Sequence, residues 1–297
     1  MDWQSQLITV YLTTCKFFSQ LSPYIFLKIS PNSNPSFTDE EAISIYIFGI
    51  LQNLKSLKSI HRFAKNFLSN WFPKLPSYEG FLYRINNLDK VFPELSKNLL
   101  QDEKFTQAQN NSESLVVVDS LPIMMARNFR AHRCNTAKGI ASIGYCSSKD
   151  TYYYGVKLHL IANHKSQALA SPRLMKTTEA RIHDLSAIKK ELSSIKEVQI
   201  LGDKAYGDLK TKKKLNRIGS DLHTPVKLSK FKKTLTDDEK IYSKSVSSIR
   251  QSIEILFNWL IEASDIQIAS KVRSSKGLLV HVYGRFSACL FRYMFNF

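Results

Sequence analysis

Three acidic side chains, Asp119, Asp203 and Glu254, have the types and settings needed for phosphoryl chemistry. Asp119 directly follows the apolar run 115–118, and Asp203 ends Leu201-Gly202-Asp203 after a second apolar run, 198–201. Parallel strands that end side by side present their terminal side chains at one sheet edge, where open α/β folds keep their sites. Two carboxylates held there repel each other, and a cation between them resolves the conflict. Glu254 lies on the flank of a helix whose buried stripe is Ile249, Ile253, Leu256, Phe257 and Leu260, with Arg250 one turn earlier on the same side. Mg²⁺ prefers oxygen ligands. Two such ions, about 3.5–4 Å apart, activate a nucleophile and stabilise the leaving oxygen of an in-line attack on phosphate. Asp119 is the candidate bridging ligand, with one flanking acid for each ion. Taken singly, a strand-end Asp is usually a turn or cap residue, and a helix-flank Glu is usually a solvated charge or the partner of an Arg. The residues alone leave both readings standing.

The elements that would position these acids fall into two textures. Residues 3–20 place Trp3, Leu7, Val10, Tyr11, Phe17 and Phe18 on one helical face. Thr38 is an expected N-cap, with Asp39, Glu40 and Glu41 favouring the first turn of a buried helix that runs to about Leu51. A third helix, 56–69, turns Leu57, Ile60, Ala64, Phe67 and Leu68 inward and Lys58, Arg62 and Lys65 outward. A fourth follows Pro76, and the polar stretch 101–114 reads as a linker. From residue 115 the pattern becomes mixed α/β. Strands are expected at 115–118, at the alternating Tyr152 to Leu160, at about 168–174, at 198–201 and near 222–226. Helices are expected from about His183 and over about 245–261.

Charge supplies the partner class. The chain of 297 residues carries 42 Lys and Arg against 25 Asp and Glu, a formal charge of +17, so a polyanion is expected. Residues 210–244 hold 11 basic residues against four acids, and 120–149 hold five with no acid. Arg130, His132 and Arg133 in the second segment, with Lys157 beyond it, are candidate DNA contacts. Arg250 and Lys204 are candidate phosphate holders. The Lys58, Arg62, Lys65 face fits either a helix-turn-helix reader or an ordinary solvent-facing helix. The apolar stretch 42–51 is far short of the roughly 20 residues that span a bilayer, and Asp2 stands where a basic n-region would be. No membrane association is therefore expected. Four scattered cysteines fit a reduced, cytoplasmic setting. His132, Cys134, Cys146 and His159 lack zinc-knuckle spacing. The aromatic residues are expected in the core.

Several longer motifs occur in a recognisable order. They are Val117-Val118-Asp119-Ser120, residues 128–134 (NFRAHRC), Gly144-Tyr145-Cys146, residues 154–160 (YGVKLHL), Leu201-Gly202-Asp203-Lys204, then Arg250, Glu254 and Phe257, and Gly277-Leu278-Leu279. On these, most of 115–290 resembles the DDE transposases of bacterial insertion sequences, and is most similar to the insertion-sequence 982 family. The resemblance implies a helical DNA-binding domain over 1–105 and an RNase H-like mixed-sheet catalytic domain over 110–297. It implies Asp119, Asp203 and Glu254 as a catalytic and metal-holding triad, with separations of 203 − 119 = 84 and 254 − 203 = 51 residues. Two Mg²⁺ or Mn²⁺ ions, transposon-end and target DNA, a homodimer in a synaptic complex, and a nucleoid-associated location follow as further implications. Tyr and Lys, which often flank the third acid in such enzymes, are replaced by Ser247 and Ile261. A catalytically inactive copy acting only as a DNA-binding protein is the alternative.

Overall fold

The capping signal at Thr38 acts locally. Its hydroxyl accepts from the Glu41 amide at 3.2 Å, and the Glu41 carboxylate accepts from the Thr38 amide at 2.6 Å. This reciprocal pair satisfies two donors that the first helical turn leaves unpaired. The computed structural model describes residues 2–20, 35–102, 115–228 and 234–297. Its described residues form two compact units. One lies within Met1–Phe105, Asn135–Gly139 and Leu260–Phe297, and the other within Thr106–Cys134 and Ile140–Trp259.

The first unit is helical: α1 (Trp3–Gln20), α2 (Asp39–Leu51), α3 (Leu57–Phe67), α4 (Tyr78–Asn87) and α5 (Val91–Gln101). Helix α2 is buried along its length from Ala42 to Leu51, as its unbroken apolar run predicts. Three expected core residues are instead exposed: Trp3, Tyr11 and Phe67. Trp3 packs edge-on against Trp71, and Phe67 against Phe63, so part of each apolar surface is covered laterally. Helix α5 is missing from the sequence expectation; its Pro93 sits in the first turn, where no intrahelical donor is lost. The expected linker 101–114 lies almost wholly outside the described residues.

The C-terminal residues belong to this unit, although the sequence reading assigned them to the catalytic half. Helix α10 (Ser275–Leu279) packs onto α4, a π-turn at Val280–Gly284 onto α5, and α11 (Arg285–Phe295) onto α2 and α5. Arg285 donates to the carbonyls of Ser264 and Lys55, and Arg292 donates to the Leu51 carbonyl. These cations satisfy carbonyls left over at helix ends, which no local pattern reveals.

The second unit is a six-stranded mixed sheet with strand order β2-β3-β1-β5-β6, and β4 also paired to β3. Its strands are β1 (Leu115–Arg127), β2 (Ser142–Cys146), β3 (Thr151–Asn163), β4 (Ser171–Glu179), β5 (Gln199–Leu201) and β6 (Asp221–His223). Between and after them come α6 (Phe129–Arg133), α7 (Asp184–Leu192), α8 (Leu209–Asn216) and the long α9 (Asp237–Ser264), whose residues to Trp259 fall in this unit. Strand β1 pairs antiparallel with β3 and parallel with β5, and β5 pairs parallel with β6. One face packs Val116, Val118, Ile161, Ile200 and Leu222 against Leu185, Ile188 and Leu192 of α7.

Two corrections concern the strands. Strand β1 does not stop at Val118 but runs for 13 residues, so Asp119 lies inside it. Strand β3 is buried on both faces rather than one: on its second face Ile161 joins the core against α7, and His159 bonds Thr178 of β4. Strand β2 and helix α8 were not expected, and 210–228 therefore contains a helix and a strand rather than an open basic loop.

Gly155 makes the β1–β3 contact possible. A Cβ there would collide with the Ile123 carbonyl, which is backbone and cannot swing away. Gly155→Ala should therefore destabilise the fold by about 1–3 kcal/mol through forced backbone displacement. Chemical denaturation would read this as a lowered midpoint. An unchanged midpoint would refute the close approach.

Candidate active site

The parallel β1–β5 ladder ends at the pair Val117–Leu201. Asp119 lies two residues past that pair on β1, and Asp203 two residues past it on the β5 side, so both carboxylates leave the sheet at the same margin. Asp203 caps the turn Lys204–Tyr206 by accepting from the Ala205 amide at 2.8 Å. Asp119 accepts from the Ser120 amide at 2.8 Å. Helix α9 brings Arg250 and Glu254 to this margin.

The guanidinium of Arg250 joins two of the acids. Its Nη2 donates to Asp119 Oδ2 at 2.9 Å and to Glu254 Oε1 at 2.8 Å. Arg250 and Asp119 keep 16% and 18% of their side-chain surface, whereas Glu254 keeps 54%. The bond to Asp119 is therefore the consequential one, because exposed ion pairs are screened. Burial pushes the Asp119 carboxyl up to about 6, opposed by Arg250 and reinforced by the nearby charge of Asp203. The hydroxyl of fully buried Tyr206 has no hydrogen-bond partner. Burial pushes its acidity strongly out of range, and the charges of Asp119, Asp184 and Asp203 add to that shift.

On the opposite face of β1, Ser120 reaches a second acid. Its hydroxyl donates to Asp184 Oδ1 at 2.9 Å, and Lys157 Nζ donates to the same oxygen at 3.0 Å. Lys157 also donates to the Ile182 carbonyl. Its ammonium is thus engaged within the protein, which argues against its expected role as a DNA contact. His159 lies 3.8 Å from Asp184, but burial holds its ring down at about 4, so at neutral pH this contact is not an ion pair. The link from Asp184 to Ser120, the residue after Asp119, was missed from the sequence. Nothing local signals that link, since the partners are 64 residues apart. Asp208 caps α8 by accepting from Thr211.

A cleft of about 430 Å³ opens beside these residues, lined in part by Asp203, Lys204, Lys244, Ser247 and Arg250. Among the described residues, Arg250 Nε is buried and has no hydrogen-bond partner. The other expected contacts lie elsewhere. Arg130, His132 and Arg133 are exposed on α6 of the same unit, and Lys58, Arg62 and Lys65 form an exposed face of α3 in the helical unit.

Three carboxylates form an all-oxygen donor set, which suits a hard divalent ion. Among the described residues, however, no three His, Cys, Asp or Glu side chains stand close enough to hold one. Arg250 instead supplies the positive charge between Asp119 and Glu254. The donor chemistry fits a metal, while the arrangement as it stands is closed by a guanidinium.

Comparison with known proteins gives one family. A family model described as Transposase DDE domain matches residues 109–274, more than half of the chain. No curated protein and no solved structure matches. Among the described residues, no helix is long and apolar enough to cross a membrane.

Proposed function

Because this chain belongs to the Transposase DDE domain family, we propose that it cuts DNA at transposon ends and joins the freed 3′ hydroxyl to target DNA. Asp119, Asp203 and Glu254 are the catalytic acids in this reading, and the α/β unit is RNase H-like. The sheet order, with β1 antiparallel to β3 and parallel to β5, is compatible with that architecture. The observation that carries the reading is the meeting of Asp119 and Glu254 on one cation, 254 − 119 = 135 residues apart, with Asp203 beside the same cleft.

The three carboxylates would hold divalent ions, Mg²⁺ or Mn²⁺, whose chemistry is to polarise a phosphoryl oxygen and make bound water acidic. Asp119, rigidly placed inside β1, sets the position of the reacting phosphate. Asp203 is kept oriented by its amide bond to Ala205. Arg250, Lys204 and Lys244 line the cleft and give their charge to DNA phosphates there. Two ends must be cut together, which calls for a homodimer.

The test is incubation of the purified chain with its own terminal-repeat DNA and Mg²⁺. The proposal expects nicks at the ends and, with target DNA present, joined products. Binding without nicking in either Mg²⁺ or Mn²⁺ would establish the inactive-copy alternative. Nicking without joining would mark a plain nuclease.

A pH dependence follows from Asp119. Its carboxyl, raised to about 6 from 3.8, holds a proton that metal must displace. At a subsaturating, fixed metal concentration, cleavage should fall about tenfold per pH unit below about 6 and level off above about 7. The sign for folding is opposite. A carboxylate with a raised folded pKa favours the native state when protonated, so this group's contribution is full below about 4 and lost as pH rises through about 6. A pH–rate profile flat down to pH 5 would contradict the assignment.

A further inference from the structure

Resting on that reading only for its choice of DNA as partner, we propose that the second unit carries a platform for unpaired bases, separate from the acidic site. It is built from Tyr145, Tyr152 and His132, with Phe129 beside them on α6. The sequence reading placed aromatic residues in the core. These are on the surface: Phe129 is 87% exposed, Tyr152 54% and Tyr145 48%.

Their geometry is that of a row. Tyr145 on β2 and Tyr152 on β3 are direct cross-strand partners. Their ring centroids are 5.1 Å apart, and His132 continues the row 6.1 Å from Tyr152. The planes are tilted by 55° and 50° from one ring to the next, so each ring offers its own face to a separate base and the row suits a strand whose bases are spread apart. A duplex hides its base faces in the stack, whereas unpaired bases offer them to aromatic rings.

The rings are held in place. The Tyr145 hydroxyl donates to Asp150, which occupies a left-handed turn with φ 43°. Asn128, also left-handed at φ 52°, donates its amide to the Tyr152 carbonyl at 3.0 Å and accepts from the Thr151 hydroxyl. Non-glycine residues take this conformation at a cost, which the surrounding bonds offset. The result is an exposed aromatic row that does not have to be ordered on binding.

Charge selects the partner. Arg127, Arg130 and Arg133 are exposed within the same segment, and among the described residues none forms an ion pair. Residues 120–149 contain no acid, and Asp150, the nearest one in sequence, is engaged by Tyr145. A neutral polypeptide adding to the β2 edge would use main-chain bonds and leave the guanidinium groups unexplained. A single-stranded polyanion with π-faces uses both rings and guanidinium groups.

The test measures binding of labelled single-stranded and duplex oligonucleotides to the full chain by fluorescence anisotropy, across a salt series. Tyr145→Ala with Tyr152→Ala should weaken single-strand binding about 30-fold or more, from about 1–3 kcal/mol for each of two stacked bases. Duplex binding and the salt slope should be unchanged. Tyr145→Phe with Tyr152→Phe should restore most of the binding, since stacking needs the ring, and the lost Tyr145–Asp150 bond costs only the placement of that ring. Arg130→Gln should weaken both DNA forms and lower the salt slope by about one. The platform is refuted if the double alanine variant, with a native circular-dichroism spectrum, binds single strands normally or loses both forms equally. A changed sedimentation coefficient would also refute it, by showing the face to be a contact between copies. Cleavage of end DNA by the unaltered chain, measured in parallel, decides the transposase reading independently of this result.

Discussion

Asp119→Ala lowers end cleavage by about 10³-fold or more while leaving end-DNA binding within about twofold. The magnitude comes from the several kcal/mol that a held divalent ion contributes to charge development at phosphate, at roughly 1.4 kcal/mol per factor of ten. Asp119 is the most consequential of the three acids because it is the least exposed of the Arg250-linked pair and sits in the middle of a strand. Nothing else on β1 can take over its oxygens: Val117 and Val118 are apolar, and Ser120 is turned to Asp184. Asp119→Asn should be nearly as damaging, since an amide is a poor ligand for a hard cation in place of a carboxylate. Quantifying nicked end DNA under single-turnover conditions, with binding followed by gel shift, checks both statements. A variant that retained a tenth of the parent rate would remove Asp119 from the chemistry.

The second large effect concerns Arg250. In chelator at pH 7, Arg250→Met should destabilise the chain by about 2–3 kcal/mol, below the 3–5 kcal/mol typical of a broken buried pair because Glu254 is half exposed. The cost falls on Asp119, which loses its principal counter-charge. Two further readings separate this account from a packing defect. At pH 5 the loss should shrink, because Asp119 is then largely protonated and needs no counter-ion. Adding Mn²⁺ at pH 7 should restore stability, and Mn²⁺ should bind about tenfold more tightly than to the unaltered chain, because the guanidinium no longer competes for the two carboxylates. Thermal unfolding with and without Mn²⁺, and calorimetric titration of the metal, measure these quantities. Weaker Mn²⁺ binding in the variant would mean that Arg250 supports a metal site instead of substituting for one.

Arg250 also shows how far a sequence can be read. Its four-residue spacing from Glu254 puts both on one helical flank, and their ion pair follows from helix geometry alone. Its bond to Asp119 crosses 131 residues and could not be seen. The same contrast holds for Thr38, whose capping box is a matter of four adjacent residues, and for Arg285, whose partners Lys55 and Ser264 come from distant helix ends. Strand β2 escaped notice because it is five residues long and contains Gly144.

By itself, the order of residues determined the apolar runs leading to Asp119 and Asp203, the amphipathic helix that carries Glu254, and the basic charge that calls for a polyanion. These depend on periodicity and composition, which are properties of neighbouring residues. The folded chain alone decided which charges meet. It brought Arg250 to Asp119, turned Lys157 inward to Asp184, and left Tyr145 and Tyr152 at the surface. Burial and pairing are properties of elements packed against one another, and in a long mixed sheet most partners lie far apart along the chain.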